Sequence, residues 1–181
     1  MAPTETLPTI FDPSRRFTLR PFREGDKEAL VKHINSSRIA DRVSNVPHPY
    51  TEKHATEWFA RLEEERTKSR YTHRIDFAID MEGKVVGSIA FINIDGHKAQ
   101  ISYWLGEEFQ GKGIMPEALK LLVQFGFSFL GLTRIWGYTW ENNPPSQHVL
   151  EKAGFEREGV HKKEWLKNGV YHDSVMYAIV L

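Results

Sequence analysis

"KVVGSIAFINIDGHKAQISYWLGEEFQGKGIMPEALKLL", residues 84–122, changes its period halfway along, and that change decides the fold. Together with "HRIDFAIDM" (73–81) before it, the first half reads as three successive strands. Short β-branched and apolar runs are interrupted at Glu82-Gly83 and Asp95-Gly96, both hairpin-forming pairs. From Ile114 onward the apolar residues recur at helical spacing instead: Ile114, Ala118, Leu121, Leu122, Phe125 and Phe129 share one face. An antiparallel meander followed by a helical crossover is therefore expected.

The flanks extend the pattern in both directions. Upstream, "RFTLRPF" (16–22) alternates as a strand ending at Pro21, and a helix is expected over Glu24 to about Asn35. "SSRIADRVSNVPHPYT" (36–51), rich in turn formers, reads as an irregular loop. A second helix starts at Thr51 as N-cap, with Ala55, Trp58, Phe59 and Leu62 on one face. Downstream, "RIWGYTW" (134–140) is a strand and "NNPPSQHVLEKAGF" (142–155) a short helix, with Asn143 as N-cap, Pro144 at its first position and Gly154 as its stop. Asn168-Gly169 closes a last hairpin. The expectation is an α+β fold around one mixed, mostly antiparallel sheet flanked by helices, not a doubly wound sheet. Residues 1–15, with Pro3, Pro8 and Pro13, read as a flexible arm, and 16–181 as a single domain.

Composition narrows the function. Lys plus Arg and Asp plus Glu both number 24 in 181 residues, so no global basic field points to nucleic acid or to an anionic membrane surface. No run approaches the roughly 18 apolar residues of a membrane span, and a cytoplasmic monomer or homodimer is expected. Cysteine is absent, which excludes disulfides, thiolate metal sites and a cysteine nucleophile. His172 and Asp173 are too isolated to argue for a metal.

"FQGKGIMPEA" (109–118) puts Gly111, Lys112 and Gly113 where the helix begins. First-turn N–H groups lack intrahelical partners, and the helix dipole is positive there, so such a turn can seat a phosphate. A plain strand-to-helix connection is the other reading of the same residues. Two familiar phosphate loops fail on particular positions. A P-loop needs Ser or Thr after the lysine, where Gly113 and Ile114 stand, and a dinucleotide fingerprint needs a third small residue, where Pro116 stands.

"SYWLGEEFQGKGIMPEA" (102–118) closely resembles the acetyl-CoA-binding motif of the GNAT N-acetyltransferases. "NNPPSQHVLEKAGFEREG" (142–159) resembles the segment that follows it in the RimJ/RimL branch, which acetylates ribosomal-protein N-termini, and "FTLRPFREGDKEAL" (17–30) matches the family's start more weakly. In the family pattern Gln/Arg-x-x-Gly-x-Gly/Ala, Gln110 and Gly113 take the first and fourth positions, and Met115 departs from the sixth. The resemblance implies that backbone groups along Gln110, Gly111, Lys112, Gly113, Ile114 and Met115 hold the pyrophosphate. It also implies that the sheet splays after Tyr103 and Leu105, whose backbone pairs with the pantetheine arm, and that Asn143 and Ser146 lie beside that arm.

The implied reaction is attack of a neutral amine on a thioester. Without a cysteine to carry the acetyl group, direct transfer is expected. The resemblance makes Ser146 the candidate proton donor to the leaving thiolate and Glu164, in "HKKEWLKNGVYHD" (161–173), the candidate base, with Glu141 as its rival. His148, His161 and His172 are further proton carriers by type. The acceptor implied is a protein or peptide N-terminal amine. A small-molecule amine such as an antibiotic or polyamine is the alternative, and a non-catalytic acyl-CoA-binding module is the other class. Acceptor selectivity is expected from the "VSNVPHPYT" loop (43–51) and the helix bearing Trp58.

Overall fold

The computed structural model describes residues 7–43, 46–67 and 73–181. One eight-stranded sheet runs in the order β1-β2-β3-β4-β5-β6-β8-β7. Its strands are β1 (Ile10–Phe11), β2 (Thr18–Arg20), β3 (Ile75–Met81), β4 (Lys84–Asp95), β5 (Lys98–Leu105), β6 (Arg134–Trp140), β7 (Glu156–Lys167) and β8 (Val170–Val180). All neighbours are antiparallel except β5 and β6. This is the expected α+β architecture. Among the described residues five α-helices accompany it: α1 (Lys27–Ile34), α2 (Ser37–Ala40), α3 (Glu52–Thr67), α4 (Ile114–Ser128) and α5 (Pro144–Lys152). Among the described residues no helix is long and apolar enough to cross a membrane.

The turns form as their residue types dictate. Glu82 and Gly83 both take positive φ (54° and 81°), as do Asn168 and Gly169 (51° and 77°), the signature of two-residue hairpin loops whose twist matches the strands. Thr51 caps α3 by a route its hydroxyl did not suggest. His54, three residues on, accepts the Thr51 N–H at Nδ1 (3.1 Å), the reciprocal half of a capping box.

The sheet is covered on both faces. On one face α4 and α5 bury Ile114, Ala118, Leu119 and Leu122 against Phe77, Ile89, Phe91, Ile101 and Ile135. On the other, α1 and α3 bury Leu30, Ile34, Ala55, Phe59 and Leu62 against Ala78 and Val85. Double coverage explains why β4 is buried without a break from Val85 to Phe91 rather than alternating.

Three expectations are corrected. Within the stretch read as a loop, Ser37–Ala40 is helical, because Ser36 Oγ accepts the Ile39 N–H (3.3 Å) and Ile39 and Ala40 are buried. The buried face of α4 is broader than read. Met115, Leu119 and Val123 lie inside, whereas Phe129 sits past the helix end, 53% exposed and stacked on Phe125. The region read as an arm contains β1, where Ile10 and Phe11 pair with Leu19 and Thr18 at the sheet edge. Residues 1–6 of that arm, and Ser44 and Asn45 of the loop, lie outside the described residues.

Candidate active site

The site begins where two parallel strands part. β5 and β6 pair only at Lys98–Arg134, Ala99–Ile135 and Gln100–Trp136, yet β5 continues to Leu105 and β6 to Trp140. A slot therefore opens beyond Gln100. Gly137 stands at its closed end, where a Cβ would lie 2.7 Å from Ile101 Cγ1, so the Ile101 side chain occupies the space a larger residue would need. A glycine inside a strand marks such a close approach, and this signal was available in the sequence.

Backbone parity decides what faces the slot. The Gly106 N–H donates to Val86 O (2.8 Å). Hydrogen-bonded pairs alternate along an antiparallel ladder, so Trp104 and Ser102 also spend their backbone groups on β4. Tyr103 and Leu105 then turn theirs toward the slot edge. The Leu105 carbonyl is taken by Gln110, whose Nε2 donates to it at 2.8 Å. Gln110 thus acts as a strut between strand end and glycine turn.

At that turn Gly111 and Gly113 have φ of 73° and 72°, and Gly113 caps α4 in the left-handed conformation. Only glycine adopts this at low cost, and the turn presents its backbone outward. Nothing lies within 4 Å of a Cβ built at Gly111, and at Gly113 only Arg16 Nη1 does, at 4.0 Å. An open, positively biased backbone cradle of this kind fits a phosphate group. Ile114 and Met115 point into the core, 3% and 4% exposed, so the residue that departs from the family pattern is absorbed by packing. Lys112 leans over the Phe109 ring (5.7 Å). A second cation, Arg16, reaches the turn, held by buried Asp12 through Nε (3.2 Å) and donating to Lys112 O (3.4 Å). Its separation of 96 residues from the turn gave the sequence no means of revealing it.

Slot and cradle open into one cleft of about 1340 Å³, which passes from the α4–α5 face of the sheet to the α1–α3 face. Tyr103 and Ser146 line it and meet, hydroxyl to hydroxyl, at 2.7 Å. Burial pushes the Tyr103 phenol well above its ordinary value, opposed by the Ser146 hydrogen bond and augmented by Tyr177. Asn143, 6% exposed, precedes α5 and makes no side-chain cap. Its carbonyl accepts the N–H groups of Ser146 (3.1 Å) and Gln147 (3.3 Å).

The other proton-carrier candidates are dispersed. Glu164 stands in the irregular stretch of β7 between His161 and Trp165, exposed, 3.6 Å from His161 Nδ1, and is not on the cleft wall. Glu141 is also exposed and off the wall, 3.9 Å from Lys162. His148 lines the cleft, and His172 stacks on Trp140 at 4.3 Å. No group of three potential metal-ligating side chains occurs among the described residues.

His33 supports the approach to the cradle. Its Nδ1 lies 3.1 Å from Glu108, and its ring meets Phe109 edge-on at 5.3 Å. Burial lowers its pKa below the ordinary histidine value, against Glu108, with Lys32 and Lys84 adding to the lowering. The unfolded chain therefore takes this proton first, so stability should decline as pH falls below about 6.5 and be level in this respect above it. Denaturant midpoints are expected to drop on acidification more in the wild type than in His33→Gln. Parallel profiles for the two proteins would count against it.

Comparison with known proteins adds the family context. The family described as the acetyltransferase (GNAT) domain matches residues 16–156. A Bacillus subtilis protein named as the N-acetyltransferase YjcK is 37% identical over 131 residues, covering 71% of this chain and 70% of that protein. YdaF of the same organism, which carries the name of a ribosomal N-acetyltransferase, is 28% identical over 176 residues, 92% of each chain. Among solved structures, Mycobacterium smegmatis RimJ in complex with a CoA disulfide superposes with a TM-score of 0.78 at 26% identity, covering 99% of this chain and 90% of that one.

Proposed function

This chain belongs to the GNAT acetyltransferase family, and we propose that it transfers the acetyl group of acetyl-CoA directly to the N-terminal α-amino group of a protein or peptide. The observation that carries the reading is the slot between β5 and β6, bounded by the glycine cradle at one end and open to the α1–α3 face at the other. Residues 110–115 would hold the pyrophosphate through backbone N–H groups. The slot-facing backbone of Tyr103 and Leu105 would hold the pantetheine arm like an added strand, and Asn143 and Ser146 would flank it. Acetyl-CoA supplies the activated acyl group and a thiol leaving group.

The acceptor enters from the α1–α3 face, where Ser88, Ala90 and Ser102 form a floor of small side chains. Charge on the cleft walls favours a peptide over a polyamine. Arg38, Arg42, Arg61, Arg74 and Lys152 line it against Glu57, Glu64 and Glu65, which offers a polycation no net attraction. An α-amino group with pKa about 7.7–8.0 is neutral for roughly a tenth of the time at pH 7, whereas lysine near 10.4 is neutral for less than about a thousandth. With Glu164 off the wall, an acceptor that deprotonates to solvent suits the cleft best.

The test is free-thiol release from acetyl-CoA with peptides bearing free N-termini, the same peptides blocked at the N-terminus but containing lysine, and small amines including spermidine. Release confined to free N-termini is expected; release with spermidine alone would refute the peptide acceptor. Ser102 projects from β5 on the face opposite Tyr103. Ser102→Leu is therefore expected to raise the acceptor KM about tenfold or more, the loss of ~1.4 kcal/mol of binding. Acetyl-CoA affinity by calorimetry should stay within about twofold. Loss of both together would place the acceptor elsewhere.

A further inference from the structure

We propose that the Tyr103 hydroxyl is a positioning group for Ser146. It donates to Ser146 Oγ and so turns the single hydroxyl hydrogen of Ser146 toward the slot, where that hydrogen bonds the sulfur from which the acetyl group departs. This inference rests on the acetyl-transfer reading of the slot for the identity of the sulfur.

The start of α5 supplies no free backbone donor. A helix start normally offers free N–H groups to an anion, but Pro144 and Pro145 have none, and the Ser146 and Gln147 N–H groups are spent on Asn143 O. Charge arriving on sulfur in this part of the cleft therefore meets the Ser146 side chain rather than backbone donors. A serine hydroxyl has one hydrogen and two lone pairs, and its rotor is free unless a partner sets it. If Ser146 spent its hydrogen on Tyr103, it would show the sulfur only lone pairs.

The 2.7 Å contact permits either polarity, and the opposite one follows because a phenol is the more acidic hydroxyl and so the better donor of the pair. The phenol oxygen is 2.7 Å from Ser146 Oγ and 3.4 Å from the Ser146 carbonyl, so the hydroxyl is the better target for its proton. Tyr103 stays protonated and able to donate at any physiological pH, because burial disfavours its ionised form. For the same reason it is a poor final source of a proton. A thiol is acidic enough to leave as thiolate without a strong acid, and a hydrogen bond strengthened by the Tyr103-to-Ser146 chain is the assistance it requires. In the balanced step the acceptor nitrogen forms the C–N bond and the C–S bond breaks with its electron pair on sulfur. The proton lost by the amine passes to solvent, and Ser146 stabilises the thiolate without being consumed.

The experiment is an ultraviolet titration of the thiol of CoA bound to the wild type, Tyr103→Phe, Ser146→Ala and the double variant. The bound thiol is expected to be about tenfold more acidic than free CoA in the wild type, as a donor to a thiolate requires. Tyr103→Phe should give back most of that gain and Ser146→Ala all of it, with the double variant matching Ser146→Ala. A Tyr103→Phe thiol as acidic as the wild type, or an equal further change from Tyr103→Phe in the Ser146→Ala background, overturns the proposal, because a merely structural tyrosine would act independently of the serine. Thermal midpoints check folding. Acetyl transfer to a peptide with a free N-terminal serine, measured on the same proteins, separates the two readings. Absent turnover with the thiol shift intact would sink the transferase reading and leave the hydroxyl pair standing.

Discussion

Gly113→Val is expected to lower acetyl-CoA affinity by at least about a hundredfold, the equivalent of ~2.7 kcal/mol, or roughly one to two charge-assisted hydrogen bonds lost. Gly113 has φ 72° and begins α4, and its backbone is open except for Arg16 at 4.0 Å from a built Cβ. A branched side chain there occupies the approach to the cradle and also strains the left-handed turn. The strain alone costs about 1–2 kcal/mol, within the ~5–15 kcal/mol of a typical domain, so the variant should fold. Gly131→Val is the control, because Gly131 has a similar φ of 68° with nothing within 4 Å and does not line the cleft. It carries the same kind of strain and is expected to keep wild-type affinity by calorimetry. Equal losses in the two variants, or none in Gly113→Val, would show that the cradle does not hold the phosphate.

Arg20→Met should cost about 3–5 kcal/mol of folding stability, the range for breaking a buried ion pair from one side. Arg20 is 4% exposed and clamps two buried carboxylates, reaching Asp26 at 2.7 and 2.8 Å and Asp80 at 2.6 and 2.8 Å. Those hydrogen bonds, that to Asp26 first, raise the pKa of a guanidinium already always charged. Each carboxylate has a second duty. Asp26 accepts the Arg23 N–H (2.7 Å) and Asp80 the Gly83 N–H (2.9 Å) in the β3–β4 turn. Removing Arg20 leaves two buried negative charges facing one another, while Asp26→Asn and Asp80→Asn added to it should restore much of the loss by removing them. Urea midpoints measure both. A change below about 1 kcal/mol for Arg20→Met would mean that the cluster is solvated and carries little weight.

What the sequence determined by itself is local in origin. The three hairpin turns, the two strand–helix transitions and the glycine pair before Ile114 were legible because φ sign, capping and periodicity are properties of a few adjacent residues. The α+β class follows from their order. Less legible were α2, whose four residues depend on a serine cap and two buried side chains, and the breadth of the buried face of α4, which the sheet above it sets.

Only the tertiary structure decided which groups share the cleft. Tyr103 and Ser146 are 43 residues apart and meet because β5 and α5 converge at the parting of the strands. Arg16 reaches the glycine turn across 96 residues because β2 and the start of α4 meet at one end of the sheet. Glu164, matched to a base by its position in the chain, stands exposed where the β7 ladder is irregular around Lys163, with φ 52°, and lies 3.6 Å from His161. A chain position specifies what a residue can do; the meeting of distant strands specifies what it can reach, and burial beside the slot sets the protonation state in which it acts.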